Sequence, residues 1–521
     1  MKVNKNLKKA YELRNILILI SMSVSILVIT FNTTALINAL PVMKNQFRIQ
    51  PSNLQWLLNS YILTSVTFML LAGKLYDTYD NKTIYLFSLV GYMFASLIII
   101  YSPNSLFLYA GRGLQGIGAA FIASGALIII KKTFPSYRLQ KAIGIWSAIA
   151  GSGFCAGPFI GGFLTTLFSW TYIFWVGMLL VVVAIVMILL AMPKAKKIIK
   201  NEGNIVRKGH FDIVGNIIVS LGLLSVVFAL VKVNDLGLSD PLILITLFSG
   251  IVLIIYFYFF EKKTLDPIVD FTIFRNREFS LSLLGTMVLI AIVLMEIPYL
   301  FNFYAQNDTI LNLSAYRAGS ALLPINIFYI LGIFLSTKIL KYLDYYYTIL
   351  ISIILQIIGL LMLSYFACYI SYYYFVIPFC LIGFGGGVTF PCYSLLAIKN
   401  IVNNKVGQAS SLLNIATYFG DLAGTTIWSL VFFYSGSNFL LNGPNGIKFY
   451  NDIIQSNINR LLIGNKSTLE EIITLNVEYK DMIFKQVQGA GATAFSSAMF
   501  YSAVVMIILA IVFALYLRKN K

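Results

Sequence analysis

SWTYIFWVGMLLVVVAIVMILLA, residues 169–191, carries no charge and no proline over 23 positions. At about 1.5 Å per residue, a helix of that length matches the roughly 30 Å hydrocarbon core of a bilayer. In lipid every backbone N–H and C=O must be paired within the chain, so the run is predicted to be a helix. Comparable runs flank it at 16–41, 54–73, 83–101, 105–130, 138–165, 212–232, 240–260, 279–303, 315–337, 346–367, 372–398, 405–435 and 494–517, fourteen in all. A β-barrel would need short alternating segments, and the sequence has none. Composition agrees, with 59% of 521 residues hydrophobic and 11% charged, where a soluble domain is nearer half apolar and a quarter charged. The expected fold class is an all-α integral membrane protein with fourteen transmembrane helices.

The formal net charge of +18 would suggest nucleic acid if it lay on one folded face. Instead the basic residues fall in short inter-helix loops, so the predicted partner is the lipid bilayer and not nucleic acid. One set of loops holds Lys74 and Lys82, Lys131 and Lys132, Lys194 to Lys208, Lys262 to Arg277, Lys338 and Lys341, and Lys399 and Lys405. The opposite short loops hold little beyond Lys44, Arg48, Lys232 and Arg317. Basic loops stay cytoplasmic, so both termini are expected in the cytoplasm and the loop 436–493 outside. That loop carries an amphipathic stretch (Ile453, Ile454, Ile458, Leu461, Leu462) and a capping-box pattern, Ser467 to Glu470, and is expected to be partly folded. The basic N-terminus followed by an apolar run imitates a signal peptide. The run passes Ile37 without a small-residue cleavage pattern, so it reads as a retained first helix. Cys155, Cys368, Cys380 and Cys392 lack metal-ligand spacing, and His210 is the one histidine. Neither a disulfide nor a metal site is expected.

Three short stretches recur at one offset of about 267 residues. Lys74-Leu75-Tyr76-Asp77 returns as Lys341-Tyr342-Leu343-Asp344, Gly116-Ile117-Gly118 as Gly383-Phe384-Gly385, and Ala156-Gly157 as Ala423-Gly424. Matches in register predict a duplicated six-helix unit with two helices inserted between the copies. The predicted divisions are 1–191, a first six-helix bundle; 192–278, a cytoplasmic loop with helices 7 and 8; and 279–521, a second, pseudo-symmetric bundle. Such repeats put a solute site near the midplane, and rocking of one half on the other alternates its access.

Several motifs carry a family resemblance over essentially the whole chain. Gly73-Lys74-Leu75-Tyr76-Asp77 follows helix 2, Arg112 to Ala120 (RGLQGIGAA) lies in helix 4, and Gly153 through Gly157-Pro158-Phe159-Ile160-Gly161-Gly162 lies in helix 5. Weaker echoes are Phe211-Asp212 with Gly215, and Glu261, Pro267 and Phe274. Together they resemble the fourteen-helix drug/proton antiporter branch of the major facilitator superfamily. Independently of family, the helix 5 glycines let backbones approach closely, and Pro158 removes a donor and permits a bend. Asp77 can cap a helix N-terminus or pair with a base; the resemblance implies a cytoplasmic latch. Arg112 costs about 2.5–3.5 kcal/mol inside a membrane, so it should face protein or water. The resemblance links it to proton transfer, and a structural bond to helix carbonyls is the alternative.

Two acids lie well inside predicted helices, Glu296 and Asp421. A shielded carboxyl can exchange a proton for a cation as its surroundings change, so Asp421 is the expected principal proton site, with Glu296 secondary. Most members of the resembling family have an aspartate where helix 1 carries Asn32, which cannot titrate. Asn32, Asn38 and Gln115 could hydrogen-bond a substrate or glue helices together. Aromatic residues such as Tyr61 and Tyr418 could line a cavity or meet lipid.

The reading is a proton-coupled secondary transporter, multi-pass in a bacterial cytoplasmic membrane and monomeric. It would export small amphipathic compounds or drugs by alternating access, with small molecules and protons as its partners. The alternative is an importer or uniporter of a metabolite on the same fold. An enzyme would need clustered acids or histidines, a channel needs rings of charge or carbonyls, and ATP drive needs a phosphate loop. The sequence has none of these, and no cofactor is expected.

Overall fold

The computed structural model describes residues 2–49, 56–192, 212–237, 239–264, 267–313, 315–402, 405–442, 461–462, 469–470, 474 and 480–519. Within them the chain is helical, and no strand occurs. The helices are α1 (Lys2–Phe47), α2 (Trp56–Thr78), α3 (Asn81–Ile100), α4 (Ser105–Thr133), α5 (Ser136–Leu167), α6 (Thr171–Ala191), α7 (Ile213–Leu236), α8 (Pro241–Glu261), α9 (Arg277–Leu289), α10 (Ile297–Gln306), α11 (Ala315–Ala321), α12 (Leu323–Ile339), α13 (Tyr345–Phe366), α14 (Tyr373–Lys399), α15 (Val406–Asn442) and α16 (Lys480–Lys519). Among the described residues eleven spans are long and apolar enough to cross a membrane, or twelve when the bent α5 is taken as one span. The capping box at Ser467 and most of the loop 436–493 lie outside the described residues.

Helix ends follow local chemistry. Asn104 caps α4 through Phe107 N–H at 3.2 Å, and Lys131 and Lys132 occupy its last turn, where the helix dipole favours cations. Asp240 caps α8 through Leu242 N–H at 2.8 Å, with Pro241 in the first turn. The single helix expected at 315–337 is instead two, α11 and α12, parted at Leu322 with Pro324 opening the second. Between α9 and α10 the backbone widens into a π-helix, Ile290–Glu296. Pro298 explains it: proline has no N–H, and its ring clashes with the carbonyl four residues back, so the turn expands.

Two compact units emerge, one of residues 1–284 and 393–418, the other of 285–392 and 419–521. In the first, α1 packs on α5 and α6, α2 on α4 and α7, α3 on α4 and α6, and α7 on α8. In the second, α13 packs on α16 and α10 on α11. Each unit repeats the same glycine seams. Added Cβ atoms at Gly116 and Gly118 would strike Tyr61 and Thr64 of α2 and Tyr92 of α3. Those at Gly383 and Gly385 would strike Ile325 of α12 and Ser352 of α13. Likewise Gly153 and Gly157 meet α1 at Thr30 and Thr34, while Gly420 and Gly424 meet Met287 and Ala291 of the α9 region. Gly153 pairs with Gly420, and Gly157 with Gly424, at the offset already read from the sequence.

Candidate functional site

Helix α4 carries Arg112 into the first unit, where the side chain is 1% exposed. Its Nε donates to Leu57 O at 2.9 Å and its Nη1 to Gln115 Oε1 at 2.6 Å. Gln115 Nε2 passes the chain on to Ser96 Oγ at 2.9 Å. The guanidinium lies 4.4 Å from the centre of the Tyr61 ring, a cation–π contact that offsets part of its desolvation. Among the described residues no carboxylate pairs with it, and Nη2 is buried without an acceptor. Asn32 belongs to the same cluster, since its Nδ2 donates to Tyr92 OH at 2.9 Å and Tyr92 in turn lies in the field of Arg112. Room for the amide comes from Gly177, whose added Cβ would sit 2.9 Å from Asn32 Nδ2. The Asn32 Oδ1 is buried with no donor among the described residues. Leaving such an atom unpaired costs about 1–3 kcal/mol. The backbone of Asn38 continues α1, and its side chain lies outside the described residues.

The two membrane acids sit in contrasting surroundings. Glu296 ends the π-helix, is fully buried, and has Ser502 Oγ of α16 2.6 and 2.5 Å from its two carboxyl oxygens. Asp421 on α15 is half-buried. Its backbone carbonyl accepts from Thr425 Oγ1 at 3.2 Å, and no hydrogen bond reaches its carboxyl among the described residues. It stands one residue from Gly420, which packs on Met287 and Ile290.

The stretch Gly73 to Asp77, which forms the end of α2 and not a loop after it, makes a built contact within the first unit. Asp77 accepts from Gly407 N–H at 2.9 Å and Gln408 N–H at 3.2 Å, first-turn donors of α15 that have no acceptor within the helix. Gly73 and Gly407 permit the approach: a Cβ at Gly73 would lie 2.5 Å from Gly407 O. Ser410 Oγ donates to Ser124 O at 2.9 Å, and Lys131 Nζ caps the other side of the connection, donating to Ile401 O at 2.7 Å and to Ile398 O. In helix α5, Gly153, Gly157 and Gly161 form one face against α1, and Gly162 is half-buried. The axis bends by 44° between Tyr137–Phe154 and Phe159–Leu167, across Pro158, whose side chain is outside the described residues.

Outside the membrane spans, Asp270 holds the Lys405 ammonium and accepts from Thr272 N–H at 2.9 Å, while its own N–H donates to Gln408 Oε1 at 3.1 Å. Partial burial pushes its carboxyl up, but the Lys405 and Thr272 bonds outweigh it and hold it below its ordinary value. A depressed carboxyl stabilises the fold above its unfolded value and loses that contribution as pH falls through the folded one. Thermal midpoints of the purified protein should therefore fall in acid, below about pH 4. Asp270→Asn should flatten that limb modestly, because the pair is a quarter to a third exposed.

Sequence reasoning singled out Asp77, Asn32, Gln115 and Glu296 but missed what each one meets: Gly407 and Gln408 for Asp77, Tyr92 for Asn32, Ser96 for Gln115 and Ser502 for Glu296. No spacing signal links residues more than 300 positions apart, although Ser502 could be suspected as a polar residue in an apolar run.

Polytopic helices in two glycine-seamed units, with a buried arginine and acids inside the membrane spans, define a multi-pass solute transporter. The model for the Major Facilitator Superfamily matches residues 22–425. The chain belongs to that family. It is 26% identical over 418 residues to an uncharacterized MFS-type transporter, YvkA, of Bacillus subtilis, covering 80% of this chain and 90% of the relative. It is 24% identical to the methylenomycin A resistance protein of the same organism, covering 84% and 93%. It is 27% identical to the quinolone resistance protein NorB of Staphylococcus aureus, covering 82% and 91%. The human organic anion transporter MFSD10 shares the fold, with a TM-score of 0.60 over 95% of this chain and 99% of that one at 12% identity.

Proposed function

We propose that this transporter is a proton-coupled exporter of small amphipathic compounds, in the fourteen-helix drug/proton antiporter branch, in a bacterial cytoplasmic membrane. Its termini are cytoplasmic, it acts as a monomer, and residues 1–191 and 279–521 form two six-helix bundles with helices 7 and 8 inserted. The observation that carries the reading is the Asp421 carboxyl, held within a membrane helix with no partner among the described residues. Such a group is free to take a proton from one side and yield it on the other. Glu296, engaged by Ser502, is the secondary site, and Arg112 tunes the charge of the first unit. The Asp77 contact with the start of α15 supports its role as the cytoplasmic latch. The glycine face of α5 supports close, bendable packing on α1. Resistance proteins among the relatives favour export.

The test is uptake into everted vesicles, with and without an imposed proton gradient, alongside growth of an efflux-deficient host on a compound panel. Gradient-dependent accumulation supports the reading; equal uptake without a gradient points to the importer or uniporter alternative. A second reading of substrate class follows from the buried Arg112, with no carboxylate beside it among the described residues, and from Asn32 in place of an acid. An anionic substrate group would supply the missing charge, so the panel should pair carboxylates with their neutral amides.

A further inference from the structure

The acids that open and close the inserted helix pair have no part in the transport reading. Asp212 caps α7, its Oδ1 accepting from Gly215 N–H at 2.8 Å. Glu261 is the last residue of α8 and is 2% exposed. Its Oε1 accepts from Val269 N–H at 3.0 Å and from Ile268 N–H. Each carboxyl thus spends one oxygen on backbone donors. The remaining two, Asp212 Oδ2 and Glu261 Oε2, are buried and have no donor among the described residues. Both border Gly215: an added Cβ there would overlap Asp212 Oδ2 and lie 3.1 Å from Glu261 Oε2. That explains why the sequence carries glycine three residues after Asp212.

Neighbouring cations are committed elsewhere. Lys74 of α2 donates to Pro267 O at 2.9 Å, and Lys262 lies over the Tyr258 ring at 4.3 Å. Lys263 is exposed, and Lys405 holds Asp270. On the α2 side Asp77 is bound by the start of α15. Two facing, solvent-shielded carboxylate oxygens repel unless something positive lies between them. A single proton turns the repulsion into a short charge-assisted O–H···O bond and satisfies both atoms.

We propose that Asp212 and Glu261 hold one proton between them, making a second proton site that ties the start of α7 and the end of α8 to the strap 267–270. The strap continues through Asp270 N–H to Gln408, whose own N–H is held by Asp77. The site therefore adjoins the latch while standing apart from Asp421. It needs neither the proposed substrate nor the proposed direction of transport.

The test is thermal unfolding of the full purified chain from pH 5 to 9 for wild type, Asp212→Asn, Glu261→Gln and the double variant. The folded state binds a proton that the unfolded chain releases, so stability falls as pH rises, approaching a tenfold change in the folding equilibrium per pH unit. Each amide replaces the shared proton with its own N–H donor. The expected result is a wild-type midpoint that declines toward pH 9 and variants that lose this decline and melt higher than wild type at alkaline pH. An identical alkaline slope in wild type and variants overturns the proposal. So does a midpoint at pH 9 restored by sodium or magnesium ions in wild type alone, which would make the occupant a metal. Should one single variant fail to fold, infrared spectra of the other decide: loss of one protonated-carboxyl band relative to wild type supports the shared proton, and an unchanged band overturns it.

Discussion

Asp421→Asn is expected to cut gradient-driven transport by roughly one to two orders of magnitude, about 1.4–2.8 kcal/mol of coupling, while leaving gradient-independent counterflow measurable. Asparagine keeps the size and polarity of the side chain and cannot bind or release a proton. The site tolerates that exchange, because no hydrogen bond reaches the carboxyl among the described residues and no built network is broken. Gly420 and Gly424, which seat the helix on Met287 and Ala291, are untouched. The variant should therefore be as abundant and as thermostable as wild type. Glu296→Gln makes the contrast: Ser502 holds that side chain at both oxygens, so part of its effect should be lost stability. Full gradient-driven flux in Asp421→Asn vesicles would sink the proton-site assignment.

The second large effect is steric. Alanine is favoured over glycine in a helix by about 1 kcal/mol, so Gly→Ala should stabilise wherever space allows. At Gly91 nothing lies within 4 Å of an added Cβ, and Gly91→Ala should raise the thermal midpoint slightly. At Gly161 the added atom would lie 2.6 Å from Ala35 O and 2.7 Å from Ala35 Cα. Those are backbone atoms of α1, and only a parting of α1 and α5 could relieve the clash. Overpacking of that kind costs about 1–3 kcal/mol, which outweighs the gain in propensity. Gly157→Ala should fall between, because its first obstacle is the Thr34 hydroxyl, a side-chain end. Detergent-solubilised melting midpoints in the order Gly91→Ala, Gly157→Ala, Gly161→Ala, highest to lowest, are the expected result. A Gly161→Ala protein as stable as Gly91→Ala would mean that the seam is looser than its geometry.

The glycine seams also bear on how much the chain disclosed before it was folded. Gly116, Gly118, Gly157 and Gly424 were readable as a repeat because small residues at helix contacts leave a pattern along the chain. The seam also runs through Gly153 and Gly420, which no matched stretch contained, because their identity as partners rests on which helix each one touches. Asn307 makes the same point in reverse. As part of an Asn-Asp-Thr triplet it could be taken for an exposed acceptor, yet it is 1% exposed and donates to Leu462 O at 3.3 Å.

Bilayer thermodynamics acts on one segment at a time, so apolar length alone determined that the chain is a set of membrane helices, and basic loops alone set the expectation for their orientation. Motif chemistry determined that Asp77, Arg112, Glu296 and Asp421 deserved scrutiny. Tertiary packing decided what each of them touches, because a charge is defined by what lies within a few ångströms of it. Through that packing Asp77 meets the donors of a helix some 330 residues away, Arg112 loses any carboxylate among the described residues, Glu296 gains a serine, and Asp212 faces Glu261.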